Sequence, residues 1–212
     1  VYYECDENGV PYHFPTLNSR WCTSKQESFC KIPGSPIAYW VSEKTISWCE
    51  KHKLSNDVVG SVGIQTGDNE KFIRLWQEVN FFSVKFDAKQ VVDTYCSQKW
   101  YPYNKGGDFR KWYGNDFYVV YWQNDGAFLK NDNKITGHHY QEYKDNLKFA
   151  PLVTWSRVTS GQPSFRIKEN GFLSDMAGFS IFSNTLDLFK IIAFCNSKVA
   201  NHYLQFIAPT LN

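Results

Sequence analysis

From Leu152 to Phe182 the chain reads LVTWSRVTSG, SFRIK and GFLSDMAGFSIF, apolar and β-branched segments broken by Ser160-Gly161-Gln162-Pro163 and Asn170-Gly171. Glycine and proline supply the turn geometry that antiparallel neighbours require, so this stretch predicts consecutive strands joined by hairpins. Arg157, Arg166 and Lys168 alternate with apolar residues here, which would bring them out on one face of a sheet as a solvated surface or a phosphate track. Two helical segments follow, 185–195 and 198–207. Asn184 and Ser197 are their candidate caps, Leu186, Phe189, Ile192 and Phe194 form the apolar side of the first, and Pro209 stops the second. The pattern implies an α+β fold: a curved, mostly antiparallel sheet with peripheral helices and a C-terminal helical pair.

Upstream, residues 36–41 (PIAYWV) read as a short buried strand and Ser42 as the cap of a helix to residue 53, with Glu43 in its first turn. Residues 58–66 (VVGSVGIQT) read as a strand with a bulge, or a place where another backbone comes near. Asp68 would cap a helix carrying Phe72, Ile73, Leu75, Trp76 and Val79 on one side. Residues 81–86 and 118–122 read as strands, with 99–115 a long connection between them. Residues 131–137 read as a polar turn, after which Tyr140, Tyr143 and Leu147 fall at helical spacing. Residues 1–35, rich in Asn, Ser, Thr, Pro and Gly, read as an irregular arm or linker, and 36–212 as a single domain.

The chain of 212 residues has a net charge of only +2, so any polyanion partner requires the positive charge to be gathered on one face. No apolar run is long enough to span a membrane and no secretory leader is legible at the start, which implies a cytoplasmic protein without membrane association. The six cysteines form no C-x-x-C pair, so free, mostly buried thiols are expected. His138 and His139 are adjacent, point apart in any regular element and lack a ligand at metal spacing. With Val1 first and Met176 the one methionine, the chain reads as a piece of a longer protein.

The densest chemical feature is WYPYNKGGDFRKWYG, residues 100–114, with six aromatics in fifteen residues around Lys105, Arg110, Lys111 and the Gly106-Gly107 pair. Flat rings, long cations and glycines that permit close approach are what an anionic, stacked polymer demands. The turn Gly67-Asp68-Asn69 offers backbone N–H groups at a helix start, but Asp68 would repel a phosphate, leaving a base amino group as the better partner. Phosphate-cradling, dinucleotide-binding, nucleophile-elbow and zinc-protease motifs are missing from the sequence.

Four blocks, in order, carry a resemblance: FCKIPGSPIAYWVSEK, GIQTGDNEKFIRLWQEV, KWYPYNKGGDFRKWYGND, and FLSDMAGFSIF followed by FCNSKVANHYLQFIAPTLN. They resemble the C-terminal half of the adenine-specific DNA methyltransferases of BREX phage-defence systems (PglX type). That half is similar to the specificity region of type IIG restriction-modification enzymes and to the TaqI-like specificity domain. The resemblance implies a target-recognition domain that grips double-stranded DNA while the methyltransferase domain of the same parent chain modifies adenine. It also implies that S-adenosylmethionine belongs to the parent enzyme and that this segment holds no cofactor. The glycine-rich cofactor loop and N-P-P-Y motif of the catalytic half are not in the sequence, so the segment is expected not to be an enzyme by itself.

Base readout calls for bidentate side chains, and Gln65, Asn104, Arg110, Asn115 and Arg157 are of that kind. Phosphate contact would fall to Lys105, Lys111, Lys168 and the amides of Gly106 and Gly107, with Arg166 beside Lys168 on the phosphate track, while Asn69 in the helix-start turn would meet a base amino group. Two rivals remain: a protein-interaction module that docks the methyltransferase to partner defence subunits through exposed rings, and a carbohydrate-binding module using the same rings as platforms.

Overall fold

A computed structural model describes residues 6–8, 24–51, 53–132, 144–158 and 161–207. The chain divides into two compact units, one built on the N-terminal residues to Lys53 and the other on Leu54–Gln205. The smaller carries α1 (Gln26–Phe29) and α2 (Glu43–Lys51). Ser42 caps α2 as its sequence implies, its Oγ accepting the Thr45 N–H at 3.2 Å. Residues 36–41 are not a buried strand. Two turn bonds, Ala38 N–H to the Pro36 carbonyl and Val41 N–H to the Ala38 carbonyl, fold them back, and Ile37, Tyr39 and Trp40 are exposed.

The larger unit holds β1 (Val59–Ser61), α3 (Asn69–Phe72), β2 (Ile73–Leu75), β3 (Trp100–Asn104), β4 (Tyr118–Tyr121), α4 (Gln123–Lys130), β5 (Leu152–Ser156), β6 (Arg166–Lys168), β7 (Leu173–Ser174), β8 (Gly178–Phe182), α5 (Leu188–Cys195) and the start of α6 (Lys198–Ile207). The α+β class, the mostly antiparallel pairing and the C-terminal helical pair are as expected. The strands are shared between two four-stranded sheets, β1-β8-β5-β6 and β2-β4-β3-β7. In the first all pairs are antiparallel; in the second β3 and β7 run parallel.

One strand explains the core. Leu152 and Val153 are neighbours in β5 and point to opposite faces. Leu152 enters a cluster with Phe72, Tyr101, Tyr103, Trp122, Phe149 and Leu173, whereas Val153 packs with Phe165, Ile191, Ile192 and Cys195. A sheet buried on both faces needs strands that are apolar on both sides, which is why this one reads as a continuous apolar run.

Further expectations change in this unit. The helix capped by Asp68 lasts one turn, because Ile73–Leu75 pair with β4 (Ile73 opposite Val120) and the chain straightens. Residues 81–86 form a tight 3-10 turn at Phe81–Ser83 followed by a lone bridge from Val84 to Trp100. Residues 99–115 are not all connection, since Trp100–Asn104 is an internal strand with Tyr101 and Tyr103 wholly buried. Pro102 concealed it. A proline argues against an internal strand, yet β7 pairs only with Tyr103 and Asn104, so the missing N–H lies beyond that short ladder.

The Asn170-Gly171 turn is present, with Gly171 at φ +101°, but it carries the chain from one sheet to the other rather than closing a hairpin. The segment 172–182 is likewise two strands in two sheets, parted at Asp175–Ala177. α4 had no sequence expectation; its first turn holds Asn124, Asp125 and Gly126 at positive φ. The histidine pair, Tyr140 and Tyr143 lie outside the described residues.

Candidate nucleic-acid interface

The connection from β3 to β4, residues 105–117, has almost no regular structure of its own, so its carbonyl and N–H groups need partners elsewhere. It begins on the glycine pair, both residues at positive φ. A Cβ on Gly106 would stand 2.9 Å from the Ala177 carbonyl oxygen, so that approach requires glycine. The Gly107 carbonyl accepts the Ser156 hydroxyl at 2.7 Å, and the Asp108 carbonyl accepts Asn115 Nδ2 at 2.9 Å. Further on, Trp112 forms a one-residue parallel bridge on the free edge of β6, donating to the Phe165 carbonyl and accepting from Ile167 N–H, both at 2.9 Å.

Beneath this loop lie Arg166 and Lys168. They share a face of β6, as their alternation requires, but that face is covered. Only 0% and 2% of their surfaces are exposed, so neither emerges as a solvated face or an outer phosphate track. The loop, delivered from more than fifty residues away, closes over them. Arg166 Nη1 donates to the Arg110 carbonyl at 3.3 Å and to Ser164, and Nη2 donates to the Ser156 hydroxyl at 3.2 Å; Nε has no partner. Lys168 Nζ donates to the Gly114 carbonyl at 2.6 Å and pairs with the Asp116 carboxylate. Burial pulls the pKa of both cations below the ordinary range, and Asp116 works against that pull in each case.

What faces outward is the loop's own side chains. Phe109, Arg110, Trp112, Tyr113 and Phe117 are exposed, Tyr113 at 76%. Several cations stand over rings: Arg110 over Phe117 at 5.8 Å, half-buried Lys111 over Phe109 at 5.9 Å and half-buried Lys105 over Tyr118 at 5.8 Å. Each pair keeps a cation near a flat apolar surface at the protein boundary. Burial lowers the pKa of Lys105, with Asp175 opposing the shift.

A second set of residues gathers at the Asp175–Ala177 turn. Met176 N–H donates to the Ile64 carbonyl at 3.2 Å, just before Gln65, and Asp175 N–H donates to the Asn104 carbonyl at 2.9 Å. Arg157 N–H reaches the Ala177 carbonyl at 2.9 Å, and the exposed Arg157 guanidinium stands 5.7 Å over the Phe179 ring. Tyr103 Oη donates to Asp175 Oδ2 at 2.9 Å. Gly63 explains the anticipated close approach in 58–66, because a Cβ there would fall 2.0 Å from the Ser174 carbonyl oxygen.

The structure therefore splits the twelve candidates. Gln65, Asn69, Lys105, Gly107, Arg110, Lys111 and Arg157 are at least partly exposed, while Asn104, Gly106, Asn115, Arg166 and Lys168 are buried. Asn104 links the two sheets by donating to Thr154 Oγ1 at 2.8 Å, and Asn69 Oδ1 accepts the Thr66 hydroxyl at 2.7 Å. Ser156, Ser164 and Asp116 belong to the assembly and carry no signal in the sequence. Asn196 joins from the end of α5: its amide makes two bonds to the Phe165 backbone, 2.9 and 3.0 Å, and its carbonyl accepts Lys111 Nζ at 3.5 Å.

Among the described residues, no helix is long and apolar enough to cross a membrane and no three metal-ligating side chains gather. Cys30, Cys49, Cys96 and Cys195 are free thiols, Cys49 and Cys195 buried.

No family model matches the chain. It is 41% identical over 205 residues to the adenine-specific methyltransferase PglX of Lacticaseibacillus casei (strain Zhang), an alignment covering 93% of this chain and 17% of that protein. It is 37% identical over 192 residues to the adenine-specific methyltransferase BrxX of Escherichia coli O9:H4 (strain HS), covering 88% of this chain and 15% of that protein. Its homologues are thus BREX adenine methyltransferases, as the four blocks implied, and the chain spans less than a fifth of their length.

Proposed function

We propose that this chain is the part of a BREX-type adenine-N6 DNA methyltransferase that recognises the target duplex. The observation that carries the reading is the loop 105–117. It presents cations and exposed rings outward on a backbone held from below. Arg110 offers the fork that suits a guanine edge, and Lys105, Lys111 and Arg157 offer phosphate contacts. Two relatives whose names state adenine-specific methylation support the reaction of the parent chain. In that parent, S-adenosylmethionine and the catalytic groups come from the methyltransferase domain, and the whole acts in the cytoplasm in phage defence.

The test is duplex-DNA binding across a salt series, followed by methylation mapping in a host carrying the full-length gene. Lys111→Ala should reduce the slope of log affinity against log salt by about one and weaken all sequences alike. Arg110→Ala should instead cost about 1–3 kcal/mol of discrimination at one base pair. Binding that ignores salt and both substitutions would overturn the reading.

One observation favours a docking role for another face. Phe81, Phe82 and Phe86 are exposed with ring centroids 5.2 and 6.0 Å apart, an apolar patch of the kind that marks protein contacts. Phe82→Ser should leave DNA affinity unchanged while releasing a partner defence subunit from the full-length enzyme, read by co-purification. Retention of the subunit would remove this second role.

A further inference from the structure

We propose that Arg166 and Lys168 are positioning residues that clamp loop 105–117 by its backbone, leaving the side chains at 109, 110, 112 and 113 interchangeable determinants of the DNA sequence read. This rests on the recognition role of the loop and adds a division of labour within it.

The argument begins with what the anchors touch. Ser156 holds the Gly107 carbonyl, Asn115 the Asp108 carbonyl, Ser164 the Arg110 N–H, Arg166 the Arg110 carbonyl, Phe165 and Ile167 the Trp112 amide and carbonyl, and Lys168 the Gly114 carbonyl. Each of these bonds takes a main-chain atom of residues 107–114. The path of the backbone is therefore specified without reference to which side chains it carries at Phe109, Arg110, Trp112 and Tyr113, all exposed.

Holding such a path is costly in ordinary terms. Arg166 is wholly buried, and its hydrogen bonds go to carbonyls and hydroxyls rather than to a carboxylate. An interior cation so placed loses hydration that neutral partners only partly restore, and an apolar residue of the same volume would serve packing better. What the guanidinium supplies is geometry. Its planar array of donors reaches Ser156, Ser164 and the Arg110 carbonyl together, tying the strand β5, the approach to β6 and the loop to one rigid group. Lys168 repeats the device at the far end, with Asp116, itself in the loop, supplying the counter-charge. Trp112 at φ +78° and Asn115 at φ +62° hold conformations that non-glycine residues rarely adopt, as expected where surroundings dictate the path.

The test uses the full-length methyltransferase that contains this segment, in a host without other adenine methylation. The wild-type motif is mapped first, and the affinities for the cognate duplex and for single-mismatch duplexes are then measured. A variant carrying Phe109→Ser, Arg110→Gln and Tyr113→Ser should fold with an unchanged melting temperature and methylate an altered motif. Arg166→Met should keep the same preferred motif but lower the cognate-to-mismatch affinity ratio about tenfold, with partial recovery in Arg166→Lys. Should Arg166→Met fail to accumulate, Ser156→Ala, which removes the hydroxyl joining Arg166 to the Gly107 carbonyl, is read by the same ratio.

If the triple loop variant leaves the methylated motif unaltered, the recognition role of the loop falls and this proposal with it. If that variant alters the motif while neither Arg166→Met nor Ser156→Ala changes the ratio, the clamp falls alone. Unfolding of the triple loop variant would also overturn the clamp, since its side chains would then be holding the path.

Discussion

Two glycines show how single atoms set this fold. At Gly63 a methyl group would overlap the Ser174 carbonyl at 2.0 Å, and neither backbone can withdraw without breaking the bond from Ile64 N–H to that carbonyl. Gly63→Ala should therefore cost about 3 kcal/mol or more in chemical denaturation. Gly106→Ala meets both a positive φ and the Ala177 carbonyl, and should cost about 1–3 kcal/mol while displacing the start of the loop. The glycine-punctuated run 58–66 marks Gly63 in the sequence as a place where another backbone comes near, whereas the Gly106-Gly107 pair reads there as an approach to a polyanion and Gly106 packs against the Ala177 carbonyl instead. The burial of Arg166 and Lys168 was not legible in the sequence. A cation alternating with apolar residues on a strand looks solvated, and only the arrival of Arg110 and Gly114, 56 and 54 positions away, buries the pair.

Elements were legible where local preference and tertiary pairing agree, as at α2, β4, β5 and the body of α5, although α5 starts at Leu188 with Asp187, not Asn184, as its cap, and illegible where pairing overrode periodicity, as at β2. The apolar spacing from Phe72 to Val79 suits a helix, yet the hydrogen bonds offered by β4 draw Ile73–Leu75 into a strand, and Trp76–Glu78 keep only a 3-10 turn. α5 shows its two sides plainly. Ile191 and Ile192 are buried against Val153 and Phe165, so Ile192→Ala should lose about 2–5 kcal/mol of stability. Phe189, also counted in the apolar side when read from sequence, is 68% exposed, and Phe189→Ala should change stability by less than about 0.5 kcal/mol. Urea denaturation of the two variants in parallel separates a packed face from an open one.

For the molecule as a whole, the buried acids with raised pKa values govern the alkaline limit. Burial pushes the Cys195 thiol from 9.0 up to about 11, and raises the Tyr101 phenol above its ordinary 10.0. In both cases the folded state prefers the neutral form. The unfolded chain loses these protons first, so the contribution of Cys195 is complete below pH 9.0 and is lost as pH rises toward about 11, while that of Tyr101 begins to fall only above pH 10.0. Lys168 acts in the opposite sense below its unfolded value, because its lowered pKa makes the folded state bind fewer protons there. Melting temperature against pH should fall above pH 9, and Cys195→Ala should reduce that fall. Alkylation at neutral pH should label exposed Cys30 and spare Cys195.

The pairing of Val59 with Phe182 has one more consequence. β1 finds its partner only after more than a hundred further residues have been synthesised, and β3 pairs with β7 from Tyr103 to Leu173, a shorter wait but still a long-range one. A growing chain must therefore leave the ribosome with unpaired strand edges, and closure comes late and slowly. A product truncated ahead of β8 should be caught by chaperones or precipitate, whereas one that reaches past it can assemble both sheets.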